Sequence, residues 1–163
     1  MTKPLSYFAA AIRGDRSNLR NCEIIVGEMK KYSLVLTEHT VIGASDRSIG
    51  RELSESEERH IYLRDMKWLR EMNYFVADVT GESQGVGFEI SIVKRRKVPA
   101  KLFRHEKVED KSTMQSGFPP GKMLEWSLEE VLRRDGCKIP IVYYNDENIR
   151  EVAEREIRTL FEK

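Results

Sequence analysis

Short apolar runs alternate along this chain with longer amphipathic stretches, and that alternation restricts the fold more than any other feature of the sequence. Runs too short for helices, separated by segments long enough to cross back over a sheet, specify β-α-β units and therefore a mostly parallel sheet. Leu5–Ala11 is the first predicted strand, breaking at Arg13-Gly14. A helix follows over Asn18–Lys31, where Leu19, Cys22, Ile25, Val26 and Met29 share one face at helical spacing. Leu34–Leu36 predicts a short second strand ending in Thr37-Glu38-His39, and the polar, glycine-containing stretch Thr40–Leu53 reads as a long loop. Ser54, with Glu57 three residues on, forms a capping box for a helix running to about Asn73. Tyr74–Val79 is the third strand, Thr80–Val86 a turn, Gly87–Arg96 a helix and Val98–Arg104 the fourth strand. Ser127–Arg134 reads as a helix, Ile139–Tyr144 as the fifth strand and Glu147–Glu162 as a C-terminal helix. The expectation is an α/β fold: a five-stranded, mostly parallel sheet flanked by helices.

The 163 residues supply one domain with a substantial core and too little chain for two. Lys and Arg number 28 against 27 Asp and Glu, a net charge of +1 that gives no reason to expect a nucleic-acid polymer or a membrane as partner. The start, MTKPLSYFAA, lacks the apolar core of a signal peptide, and no stretch approaches the ~18 apolar residues of a membrane span. Cys22 and Cys137 lie far apart without metal-like spacing, which fits a reducing compartment. The expected location is therefore cytoplasmic, with the nucleus open to a eukaryotic chain. Neither a cofactor nor a metal is expected, because His60 and His105 have no partners at ligand spacing. The basic run Lys94–Lys97 complements the dipole at a helix C-terminus more simply than it makes an anion site.

In a parallel sheet, ligands bind beyond the carboxyl ends of the strands. That places Arg13, Glu38, His39, Asp78, Ser83 and Arg104 among the candidates by position alone. Two acids stand out for a sharper reason. Asp65 falls within the apolar stripe of Ile61, Trp68, Leu69 and Met72, and Glu89 falls beside Val86, Ile90 and Val93 on the inward face of the next helix. A carboxylate on a buried face is costly unless it is paired or used. Each acid alone reads most simply as salt-bridged or at the edge of its stripe; two on neighbouring segments point to acid/base or nucleophilic work. With the helix starting at Gly87, Glu89 lies in its first turn, where the dipole favours an ionised acid. Gly85 and Gly87 let backbone approach a ligand just before that helix, with Ser83 beside them. Their spacing matches neither a dinucleotide fingerprint nor a P-loop.

Tyr7-Phe8 through Ile12-Arg13-Gly14, Val35-Leu36-Thr37-Glu38-His39, Asp65 with Trp68-Leu69, and Gly85-Val86-Gly87-Phe88-Glu89 together resemble the 2′-deoxynucleoside 5′-phosphate N-hydrolases of the nucleoside 2-deoxyribosyltransferase superfamily. The resemblance runs in order from about residue 5 to 114. It implies a flavodoxin-like three-layer fold, a homodimer, and cleavage of the N-glycosidic bond of a small deoxynucleotide through a covalent intermediate. Glu89 matches the nucleophile, Asp65 the acid that assists departure of the base and activates water, and Tyr7 the tyrosine that positions nucleophile and sugar. Arg13 and Ser83 match phosphate ligands, Ser112 a serine reaching the neighbouring subunit's phosphate, and His39 a histidine near phosphate or sugar.

The sequence also departs from the family. Ala9-Ala10-Ala11 stand where Cys/Gly-Gly-Ser is common, Asp15 replaces a glycine, and Gln115–Lys138 resembles an insertion into a single domain spanning 1–163. Two rival readings remain: a nucleoside 2-deoxyribosyltransferase that exchanges bases, and a nucleotide-binding module without turnover. Arg13 favours the phosphate-dependent reading over the transferase, since a cation there is wasted on a 5′-hydroxyl.

Overall fold

The computed structural model describes residues 2–11, 18–38, 54–81, 83–106 and 139–162. Five strands, β1 (Leu5–Ala9), β2 (Leu34–Val35), β3 (Tyr74–Asp78), β4 (Ala100–His105) and β5 (Ile141–Tyr144), form one sheet in the order β2-β1-β3-β4-β5. All four pairings are parallel. This is the flavodoxin-like order, with the winding reversing between β1 and β3. The helices are α1 (Leu19–Tyr32), α2 (Glu55–Glu71), α3 (Gln84–Arg96) and α4 (Ile149–Phe161).

Both faces of the sheet are covered, so the strands carry apolar residues in both directions. Tyr7, Ala9, Phe75, Ala77 and Leu102 face α2 and α3, where Leu69, Met72, Val86, Ile90 and Val93 meet them. Phe8, Val76, Phe103 and Tyr144 face α1 and α4 and pack on Cys22, Ile25, Val26, Ile149 and Ile157. Cys22 is buried, and burial raises its thiol pKa well above the usual range. β2 is two residues long, but Thr37 prolongs its contact with β1 through its side chain. Its Oγ1 donates to the Phe8 carbonyl at 2.8 Å and accepts from the Phe8 N–H at 2.9 Å.

The element boundaries differ from expectation mainly at the strand ends and at one helix start. β1 stops at Ala9 and β3 at Asp78. The capping box at Ser54 is present in both halves, and the helix begins at Glu55 as the pair requires. α3 begins at Gln84, three residues before the expected start, because Ser83 caps it: the Ser83 Oγ accepts from the Val86 N–H at 3.3 Å. Gly85, expected in a turn, is thus helical, as Gly87 is. Arg104 lies inside β4, 7% exposed, not beyond the strand end. The loop over 40–53, the helix expected over 127–134 and the insertion over 115–138 lie outside the described residues, as do Cys137, Arg13, His39 and Ser112. Among the described residues no helix is long and apolar enough to cross a membrane.

A polar network, buried at Asp78 and Tyr144 and exposed at Asp146, ties the α1/α4 layer to the carboxyl edge of the sheet. The Tyr144 hydroxyl donates to Asp78 Oδ2 at 2.5 Å and accepts from Asn18 Nδ2 at 2.6 Å. Asn21 Nδ2 donates to Asn18 Oδ1 at 2.8 Å and to Asp146 Oδ1 at 2.9 Å, and His105 Nε2 lies 3.2 Å from the same Asp146 oxygen. His105 ends β4 with its ring edge-on to Tyr144 at 5.3 Å. Desolvation raises the pKa of Asp78 above the usual carboxylate range, and the Tyr144 and Thr80 hydrogen bonds oppose that rise. Tyr144→Phe removes the first of these and should cost about 1–3 kcal/mol of stability, read from urea denaturation midpoints. A change below about 0.5 kcal/mol would mean the network is replaced by water in solution.

Candidate active site

Glu89 occupies the second turn of α3, on the side that turns from the core toward α2. Val86, Ile90 and Val93 of the same helix are buried at 5%, 5% and 0% exposure, as their spacing predicts. The helix therefore presses Glu89 against the sheet without enclosing it fully. Because α3 starts at Gln84, its first turn contains no acid, and the expected dipole stabilisation of Glu89 does not arise there. What holds the carboxyl instead is Tyr7, whose hydroxyl donates to Glu89 Oε1 at 2.5 Å. Tyr7 is 2% exposed and stacks on Phe75, ring centroids 5.9 Å apart, so its hydroxyl is aimed by a rigid strand.

Burial pushes the Glu89 carboxyl up to about 7, the Tyr7 hydrogen bond lowers it, and the charge of Asp65 raises it. The Tyr7 hydroxyl is raised far above its ordinary range by burial first and by Glu89 second, so it stays a hydrogen-bond donor. Short hydrogen bonds of this kind gain strength when the acceptor carries charge.

α2 supplies the second acid. Its capped first turn stands clear of the core and only Leu69 is fully buried along it, so Asp65 sits at the lip of a cleft and not on a buried face. Asp65 and Glu89 line the same open cleft of about 280 Å³, together with Glu58, Ile61, Tyr62, Met66, Phe88 and Gly85. The two acids therefore share one side of the sheet and one cavity. Asp65 is also paired with Arg64, whose Nε and Nη2 each lie 3.0 Å from Oδ1. The simpler reading of this acid holds, since it is salt-bridged, and it also faces the cleft.

The remaining candidates are dispersed. Ser83 caps α3 at the cleft's edge with Gly85 beside it. Neither glycine is forced by its neighbours: a Cβ at Gly85 would meet Ser83 Oγ at 3.6 Å, and one at Gly87 would meet nothing within 4 Å. Glu38 pairs with Lys30 at the surface, Asp78 belongs to the network on the opposite face, and His60 is exposed. Trp68, expected in the core, is only partly buried and carries the Arg64 guanidinium 4.6 Å above its ring. Arg64 was invisible to the spacing argument, since neighbouring residues on a helix do not face each other. Among the described residues no group of three or more His, Cys, Asp and Glu side chains is placed to hold a metal.

No protein-family model matches the chain. Individual proteins do. The chain is 33% identical over 130 residues to the 5-hydroxymethyl-dUMP N-hydrolase of Homo sapiens, covering 78% of this chain and 74% of that protein. It is 35% identical over 122 residues to the protein of the same name in Esox lucius, covering 73% of this chain and 82% of the other. A Nematostella vectensis protein, named among the 2′-deoxynucleoside 5′-phosphate N-hydrolases, is 31% identical over 77% of this chain and 86% of its own length. A crystal structure of a conserved protein from Enterococcus faecalis V583 matches 94% of this chain and 99% of its own at a TM-score of 0.54 and 14% identity, a likeness of fold alone. On sequence and architecture together, the chain belongs to the 2′-deoxynucleoside 5′-phosphate N-hydrolase family.

Proposed function

We propose that the chain hydrolyses the N-glycosidic bond of 2′-deoxynucleoside 5′-monophosphates, releasing the free base and 2-deoxyribose 5-phosphate. The observation that carries the reading is the 2.5 Å hydrogen bond from Tyr7 to Glu89 in a cleft that Asp65 also lines. It is the arrangement expected of a positioned carboxylate nucleophile with a second acid beside it. Glu89 attacks C1′ as the C1′–N bond breaks, and Asp65 delivers a proton to the departing base. Water then attacks C1′, Asp65 takes the water's proton, and the Glu89 carboxylate is restored. Tyr7 holds the Glu89 oxygen that does not attack. The relatives named as N-hydrolases support the reaction class.

In this reading Arg13, Ser83 and His39 take the 5′-phosphate end, and Ser112 reaches the phosphate in the neighbouring subunit of a homodimer. Ser83 suits the role because it starts a helix whose first N–H groups favour an anion. Gly85 and Gly87 leave the backbone of that turn bare. The single domain spans 1–163, the 115–138 insertion included, and the protein is cytoplasmic.

Free-base release from a panel of deoxynucleosides and their 5′-monophosphates, followed by chromatography, tests the assignment. Only the monophosphates should be cleaved; equal or better cleavage of the unphosphorylated compounds would point to base exchange instead. Glu89→Gln should lower kcat by at least ~10³-fold. A sugar phosphate trapped on Glu89 should appear by intact mass with a slow substrate, and its absence under turnover would argue against a covalent step.

The pH behaviour follows from the burial of Glu89. Its carboxyl, pushed up to about 7, must be ionised to attack, so kcat/KM should rise with pH through that region. Tyr7→Phe removes the hydrogen bond that lowers this value and should move the limb to higher pH. Stability runs the opposite way. A folded-state value above the unfolded one gives stability that is complete below the unfolded value and is lost as pH rises through the folded one. Glu89→Gln should therefore be more stable than the wild type by on the order of 1–3 kcal/mol at about pH 8, the difference shrinking toward zero near pH 4. Denaturant midpoints at both pH values measure it.

A further inference from the structure

We propose that Arg64 is a positioning residue for the hydrolytic reaction, fixing which oxygen of Asp65 exchanges protons with the base and the water. The proposal rests on the reading of Asp65 as the acid given above.

Three observations carry it. First, Nε and Nη2 of Arg64 both converge on Oδ1 of Asp65 at 3.0 Å, while Oδ2 receives no hydrogen bond among the described residues. With two N–H donors held against Oδ1, a proton on Asp65 resides on Oδ2. Second, this is not the usual ion pair of a helix surface. Consecutive helical residues point about 100° apart, so Arg64 must fold back along the helix to reach its neighbour. Trp68, one turn further on, supplies the surface that holds it there, its ring 4.6 Å beneath the guanidinium carbon. The planar fork can stack and donate twice at once, which a lysine cannot. Third, the cleft itself is lined by three carboxyl groups, Glu58, Asp65 and Glu89, and by no cation among its described residues. Arg64 stands behind this wall, and its charge is felt at Tyr7, where it offsets part of the negative field of Asp65 and Glu89.

Asp65 is half-buried at the lip of the cleft, with about a quarter of its side chain in water. Without a clamp its carboxyl would turn freely about χ2 and offer either oxygen. Arg64 removes that freedom, so the oxygen facing the base is fixed before the substrate arrives.

The test compares two leaving groups. Arg64→Gln keeps a donor but loses the charge and the fork; Arg64→Lys keeps the charge alone. On deoxynucleoside monophosphates, Arg64→Gln should lower kcat by about 10- to 100-fold with KM little changed, and Arg64→Lys should recover part of the loss. On nitrophenyl 2-deoxyriboside 5-phosphate, whose phenolate leaves without a proton, the same variants should lose less than about three-fold in the formation of the covalent intermediate. Equal losses on both substrates would assign Arg64 a structural role, and no loss on either would assign it none; both outcomes overturn the proposal. If Arg64→Gln fails to fold, Arg64→Lys carries the same comparison. Asp65→Asn separates this inference from the one beneath it. Should it show the selective loss while the Arg64 variants do not, only the positioning role falls. Should Asp65→Asn lose both substrates alike or neither, the acid role falls and takes the positioning role with it.

Discussion

A parallel sheet has no face that it can leave to water, and the rest of this structure follows from meeting that demand with four described helices. α1 and α4 cover one side and α2 and α3 the other, and each strand alternates between two dry interiors. The winding reverses between β1 and β3, and α2 and α3 lie side by side on the second face of the sheet. The gap between them is the cleft. Its walls are helix residues, and Glu89 among them is held by Tyr7, a residue of the buried strand β1.

The same burial that steadies the cleft sets its chemistry. A carboxyl pressed against Tyr7 and Val86 loses water, and its affinity for a proton rises until it is divided between two forms near neutrality. The hydroxyl of Tyr7 works against that rise without reversing it. Asp65 is kept in a different environment, open to solvent and braced by a guanidinium. Two acids in one cavity thus stand in different surroundings, one held by a buried tyrosine and the other by a guanidinium.

Much of the fold was legible because its signals were local and agreed with one another. The capping box at Ser54, the inward stripe of Val86, Ile90 and Val93, and the five apolar runs all sit where their spacing implied. The start of α3 was misread because glycine disfavours helix by about 1 kcal/mol per residue and so reads as turn. The Ser83 cap and the burial of Val86 outweigh that preference. Glu89 and Asp65 were legible as misplaced charges, but their roles came from the family resemblance, because a stripe cannot say what an acid faces. Arg64 was not legible as the partner of Asp65: Trp68 at i+4 marks the surface it stacks on, but not that its guanidinium turns from there to the adjacent residue. Likewise the Asp78–Tyr144–Asn18 network joins residues up to 126 apart, beyond any local pattern.

The basic run that closes α3 turns out to serve two helices. Lys94 and Arg95 sit in the last turn of α3, as a dipole argument expects, but Arg96 reaches across to the terminal carbonyls of α2, those of Leu69 and Met72. The two helices that bear the acids are thereby fastened at their lower ends, beneath the cleft. Of the residues that line the cleft, Glu58 and Ile61 stand furthest along α2 from this foot. Asp65 sits about one helical turn from the Leu69 carbonyl that Arg96 grips, so the segment of α2 that bears this acid is steadied by the same contact.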